Sequence, residues 1–339
     1  GISIFTGDES IRKRPVAHVA DALNQLGARA EMAIPGHNGC PLVVKGPVRP
    51  GVVKTEGEVS SQYISGLMMA GILMNGKLSL ELSNPKETPY LTMTQKWLEK
   101  VGVPCSISDD FKKIEINGPK NLKAFDVTIP SDWEGVAFPL IAALMTDSKI
   151  TIENVDSSGT QGDDAIVEIL KSIGADIEWD KEQNTLTVCG GKYAKNGHGK
   201  LSTKSLPNGE LHVNMNSFPD AVCALAAIAT KVEGTVVLED AAVCRRKETD
   251  RLKVLNIELS KLGANIEEKE DSLIIHGGAE LHGETVESYK DHRMAMSLAC
   301  LALALPAGEK MTIKDAECCS VSFPHFFELM NNLGAGFLN

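Results

Sequence analysis

The stretch RRKETDRL, Arg245 to Leu252, carries six charged residues in eight positions and runs straight into the apolar segment LKVLNIELSKLG. On a helical turn, Lys247 and Glu248 lie four and three residues from Arg251, so cation and acid share one face. That pattern supports two kinds of chemistry. One is a solvated ion pair that does little beyond solubility. The other is a site where Lys and Arg grip an anion while a carboxylate moves a proton beside it.

The same choice recurs at other helix starts. Ser60 and Ser61, in VSSQYISGLMMAGI, open an apolar helix. They read as ordinary serine caps, or as two hydroxyls that join free N–H groups to hold an anion, with Gln62 beside them. Asp220, in NSFPDAVCALAAIA, is a helix cap or a general base at the mouth of a buried helix. YKDHRMAM places Asp291, His292 and Arg293 at another such start. A cation there is opposed by the helix dipole, so Arg293 suggests a bound anion that outweighs the repulsion. Arg12, Lys13 and Arg14 precede Pro15, which suits a first helical turn. Taken singly, each feature is read most simply as a cap or a surface pair. What favours a site is that they recur at corresponding places in a repeat.

The repeat is marked by an apolar-Gly pair that closes a helical pattern five times: Leu26-Gly27, Val101-Gly102, Ile173-Gly174, Leu262-Gly263 and Leu333-Gly334. The intervals are about 70 to 90 residues, and each Gly suits the left-handed position that ends a helix. The third unit predicts a strand in FDVTIPSD, an apolar helix in WEGVAFPLIAALMT and a strand in KITIENV. An amphipathic helix in GDDAIVEILKSIGA follows, then a hairpin of DIEWD and NTLTVCGG. The fold class is therefore α/β (α+β), built from β-α-β-α-β-β units. The second unit (about 53 to 119) and the fourth (about 211 to 278) repeat the pattern. The first lacks its opening strand and apolar helix, and the last lacks its hairpin. This predicts residues 1–123 as one partial and one full unit of a first domain. Residues 124–339 are predicted as two full units and one unclosed unit of a second. An absent N-terminal segment is the expected source of the missing parts.

The 339-residue chain is 43% apolar and 23% charged, a globular composition. Its net charge of −11 speaks against nucleic acid as a partner. Its longest apolar runs fall short of the roughly 20 residues that span a bilayer, so no membrane is expected. The eight cysteines form no C-x-x-C or zinc spacing, which indicates a reducing compartment without structural disulfides. No phosphate-binding loop, dinucleotide fingerprint or HExxH motif is present, so neither cofactor nor metal is expected.

In family order, KRP (13–15), VSSQ (59–62), QGD (161–163), PDA (219–221), RRKETDRL and DHRMAM (291–296) resemble the motifs of the 5-enolpyruvylshikimate-3-phosphate synthase family. The resemblance covers essentially the whole chain. It implies two domains of three such units each, and a further N-terminal stretch of roughly 100 residues with two active-site loops. It also implies transfer of the enolpyruvyl group of phosphoenolpyruvate to the 5-hydroxyl of shikimate 3-phosphate, in a cytoplasmic or plastid setting. By motif, Ser60 and Ser61 would hold the shikimate phosphate and Gln62 would lie between the substrates. Lys247 would contact the shikimate part, Tyr90 would be a further substrate-binding residue, and Arg14, Arg251 and Arg293 would bind phosphoenolpyruvate. Asp220 would take the 5-hydroxyl proton, and Glu248 would serve as acid/base at the methylene carbon. Three positions depart from the pattern: Glu87 stands for a Ser, Val243 for an Asn and Val321 for a Lys. Two alternatives accompany this expectation. One is a UDP-sugar enolpyruvyl transferase. The other is a truncated or split-enzyme fragment, completed by a separate N-terminal piece or limited to binding anions.

Overall fold

Each apolar-Gly pair ends its helix in the same way. Gly27, Gly102, Gly174, Gly263 and Gly334 all have φ between 85° and 101°, where a side chain would be strained. The next residue then donates its N–H back to the helix at five points: Ala28 to Leu23, Val103 to Leu98, Ala175 to Leu170, Ala264 to Leu259 and Ala335 to Met330. These bonds satisfy carbonyls that a helix end would otherwise leave open. The computed structural model describes residues 1–118 and 121–338. Two compact units result, Gly1–Thr128 and Ile129–Asn339.

In the first unit, β1 (Ile2–Phe5), α1 (Glu9–Lys13), α2 (Ala17–Gln25), β2 (Arg29–Met32) and β3 (Leu42–Lys45) form a three-stranded sheet of order β1-β3-β2 with its helices. Next come β4 (Gly51–Thr55), α3 (Ser61–Gly71), β5 (Gly76–Leu82), α4 (Thr88–Lys100), β6 (Cys105–Ile107) and β7 (Lys113–Gly118). Their sheet has order β4-β5-β7-β6, with β4 and β5 parallel and the other pairings antiparallel. Apolar residues of α3, α4 and these strands make the core, including Met68, Leu78, Leu80, Leu91, Ile114 and Ile116.

The second unit opens with α5 (Trp133–Met145), β8 (Lys149–Glu153), α6 (Ala165–Ser172), β9 (Asp176–Asp180) and β10 (Thr185–Cys189). It continues with β11 (Glu210–Asn214), α7 (Val222–Ala229), β12 (Thr235–Glu239), α8 (Arg251–Lys261), β13 (Asn265–Glu268) and β14 (Leu273–His276). It closes with β15 (Thr285–Glu287), α9 (His292–Ala302), β16 (Thr312–Lys314) and α10 (Phe326–Asn332). The sheet β11-β12-β14-β13 repeats the order and pairing sense of β4-β5-β7-β6. Helices α5, α7 and α9 are apolar on nearly every side, so they lie buried against one another. The starts of α7 and α9 carry Asp220 and Asp291 to Arg293, singled out above.

One predicted strand does not form. FDVTIPSD contributes a single parallel bridge, Ser131 to Val155, and residues 121–130 have no regular structure. Phe125 and Ile129 are more than half exposed, so no buried face draws this segment into the sheet. Pro130 also has no N–H to give a ladder. The third sheet is accordingly three-stranded, β8-β10-β9.

Candidate active site

The α7 start is a short turn, Pro219–Ala221, and Asp220 does not cap the helix. Its side chain turns instead to the RRKETDRL segment. Lys247 Nζ donates to Oδ2 at 3.1 Å, and Arg251 Nη1 donates to Oδ1 at 2.6 Å. Arg251 is the first residue of α8 and has no exposed surface. Its remaining donors meet Asp291 (Nε to Oδ2, 2.8 Å) and Glu248 (Nη2 to Oε2, 2.8 Å). Asp291 caps α9 by accepting the Arg293 N–H at 2.9 Å, and it also accepts the Thr249 hydroxyl at 3.2 Å. Arg293 pairs with Asp220 at 3.2 Å and with Glu134, in the first turn of α5. Four helix starts of the second unit thus meet in one ionic cluster.

Charge decides the protonation states. Burial alone would raise the Asp220 carboxyl, but the charges and hydrogen bonds of Lys247 and Arg251 outweigh it and pull the pKa down to about 2. Asp291 is likewise held below the usual carboxylate range. Burial pushes its pKa up, and Arg251 more than reverses that. Arg251 stays charged because Asp291 and Asp220 overcome the penalty of burying it. The arrangement therefore keeps an ionised carboxylate, Asp220, within reach of three cations.

Beside Arg293, where the sequence suggests a bound anion, stand two carboxylates of the chain itself, Glu134 and Asp220. Sequence reasoning missed Glu134. The signal was available, since SDWEG opens the apolar helix of the third unit just as the other polar starts open theirs. Gln161 of the QGD motif pins that start: its Oε1 accepts the Trp133 N–H at 2.8 Å, and its Nε2 donates to the Ser131 carbonyl at 3.1 Å.

The remaining expected residues lie in the first unit. Ser60 caps α3 by accepting the Gln62 N–H at 3.3 Å, while Ser61 is buried and the Gln62 side chain is exposed. Tyr90 is half-buried in the first turn of α4. Arg14 ends α1, near enough to Tyr63 of α3 for its charge to be felt there. Burial raises the Tyr63 hydroxyl pKa and Arg14 partly opposes this. Of the departures, Val321 is 82% exposed and Val243 packs against the core of the second unit. Glu87 is buried at the start of α3, where Ser61 donates to its Oε2 through both N–H and hydroxyl, at 2.9 Å each.

The sequence model for EPSP synthase (3-phosphoshikimate 1-carboxyvinyltransferase) matches residues 1–330. Among curated relatives, the 3-phosphoshikimate 1-carboxyvinyltransferase of Methanosarcina acetivorans is 40% identical over 337 residues, covering 98% of this chain and 74% of that protein. That of Methanocella arvoryzae is 37% identical over 343 residues, covering 99% and 74%. The structure superposes on EPSP synthase from Acinetobacter baumannii with a TM-score of 0.76 at 27% identity, covering 98% of this chain and 74% of that one. The enolpyruvyl transferase NikO from Streptomyces tendae, at 18% identity and a TM-score of 0.75, shares the fold. The fold is thus that of the enolpyruvyl transferases. Within that class, the chain belongs to the EPSP synthase (3-phosphoshikimate 1-carboxyvinyltransferase) family, transferases of the shikimate pathway.

Proposed function

We propose that this chain carries out its family's reaction with Asp220 as the base. The enolpyruvyl group of phosphoenolpyruvate passes to the 5-hydroxyl of shikimate 3-phosphate, and phosphate leaves. The observation that carries the reading is the convergence of Asp220, Lys247, Glu248, Arg251 and Arg293 in one ionic cluster. Both substrates are multiply anionic. As they draw Lys247, Arg251 and Arg293 to themselves, the charges holding the Asp220 pKa down are neutralised. The carboxylate then becomes a stronger base when a hydroxyl proton is there to take.

In the proposed sequence, Asp220 removes the 5-hydroxyl proton as that oxygen bonds to C2 of phosphoenolpyruvate. Glu248, as the acid, protonates the methylene carbon. Glu248 then takes a proton back from the resulting methyl group while the bond from C2 to the phosphate oxygen breaks. Arg251 and Arg293 stabilise the carboxylate and the departing phosphate, for which a guanidinium fork suits better than an ammonium. In the first unit, Ser60 and Ser61 hold the shikimate phosphate, and Gln62, Tyr90 and Arg14 complete the contacts.

Shikimate 3-phosphate and phosphoenolpyruvate are the proposed small-molecule partners. Among the described residues, no helix is long and apolar enough to cross a membrane. With eight free thiols, the cytoplasm is the proposed compartment. The test is phosphate release from phosphoenolpyruvate, with and without shikimate 3-phosphate and with a UDP-sugar as competitor. Release that ignores shikimate 3-phosphate but follows the UDP-sugar overturns the reading.

A further inference from the structure

An anion already sits on the start of α3. Glu87 Oε2 accepts the Ser61 N–H at 2.9 Å, the Ser61 hydroxyl at 2.9 Å and the Ser60 hydroxyl at 3.4 Å. The side chain is only 2% exposed, so solvent does not satisfy the charge in place of these donors. The geometry is held from both ends. Glu87 is the N-cap residue of α4, yet its carboxylate makes no cap bond to its own helix. Its backbone has φ 52° and ψ 40°, the left-handed region that a non-glycine residue enters at a cost. The chain thus accepts local strain at Glu87, and the carboxylate lies on α3.

We propose that Glu87 is a specificity-determining residue, an internal anion on the α3 start that a substrate phosphate must displace. This rests on the reading that Ser60 and Ser61 hold the phosphate of shikimate 3-phosphate. The donors are the same in both cases: one backbone N–H at the positive end of an 11-residue helix and two serine hydroxyls. Two anions drawn to the same N–H would lie close enough to repel each other strongly. Phosphate and carboxylate therefore exclude each other at Ser61. The chain discriminates less between a phosphorylated ligand and its unphosphorylated counterpart than it would with a neutral residue at position 87.

The experiment is calorimetric titration of the full chain with shikimate 3-phosphate and, separately, with shikimate. It compares wild type with Glu87→Gln, Glu87→Ser and Ser61→Ala, each checked for an unchanged thermal transition. Both Glu87 variants should bind shikimate 3-phosphate more tightly by about tenfold or more, with shikimate affinity unchanged. Glu87→Gln keeps the side chain's size and can still accept from Ser61, so it carries the test if Glu87→Ser fails to fold. Ser61→Ala should weaken shikimate 3-phosphate and leave shikimate alone. If Ser61→Ala behaves so and neither Glu87 variant tightens binding, the phosphate reading stands and Glu87 is no competitor. If Ser61→Ala leaves the ratio of the two affinities as in wild type, the phosphate is not held there and both readings fall. Absence of shikimate 3-phosphate binding in every variant overturns the proposal as well.

Discussion

Asp220 and Arg251 set each other's chemistry, and substitutions at the two should fail differently. Asp220→Asn removes the proposed base, so turnover should drop by about 10² or more while shikimate 3-phosphate still binds. Steady-state rates beside calorimetry test this, and near-normal turnover would remove Asp220 from that role. The same variant has a pH signature. The Asp220 pKa is lowered from 3.8 to about 2, so its ionised form adds stability that is present above pH 3.8 and is lost as pH falls through 2. The stake is about 2 kcal/mol. Unfolding free energy should therefore fall less steeply between about pH 4 and pH 2 in Asp220→Asn than in wild type. Parallel slopes in denaturant titrations would contradict that. Arg251→Ala should behave as a folding lesion, because it strands Asp291 and Asp220 in a buried site at a cost of about 3–5 kcal/mol. Arg251→Lys keeps the charge without the fork. It should fold yet lose most phosphoenolpyruvate affinity, and equal affinity in calorimetry would exclude a bidentate role. The types and spacing in RRKETDRL and DHRMAM made these residues legible. That Arg251 would be wholly buried among carboxylates was not legible, because its partners come from elements 31 and 40 residues away.

At the scale of elements, the repeat explains a second set of glycines. Gly118, Gly190 and Gly277 each end a hairpin where the carbonyls closing an apolar helix press in. At Gly277 a Cβ would stand well inside 3.0 Å of the Ala229 and Val232 carbonyl oxygens, and backbone cannot step aside. At Gly46, the corresponding end of the first hairpin, the nearest atom is 3.8 Å away. Gly277→Ala should therefore cost about 1–3 kcal/mol, and Gly46→Ala should be close to neutral. Thermal unfolding of the two variants decides, and similar losses would show that contact with the helix carbonyls does not govern. The helix ends were readable because a left-handed residue leaves a local trace. The hairpin-end glycines were visible as letters, but the helix carbonyls that require them lie far off in sequence. FDVTIPSD was misread for a related reason: its apolar residues promise a buried face that the tertiary structure leaves to solvent.

Among the described residues, nearly all the buried apolar side chains of 129–339 form one continuous cluster, while those of 1–128 fall into two others. Residues 129–339 expressed alone should therefore melt cooperatively and keep a native near-ultraviolet spectrum. A dye-binding, non-cooperative product would show that their packing depends on the rest of the chain. The sequence by itself determined the α/β class, the repeat, the helix ends and the polar residues at the helix starts. All of these follow from local periodicity, turn chemistry and residue type within a few tens of positions. Beyond the local Glu248–Arg251 spacing, tertiary structure alone decided which charges meet. It seated Glu134 on Arg293, sealed Arg251 among three acids and laid Glu87 across the start of α3. The physical reason is that an ion pair's strength depends on distance and burial, and both are set where elements far apart in sequence are packed together.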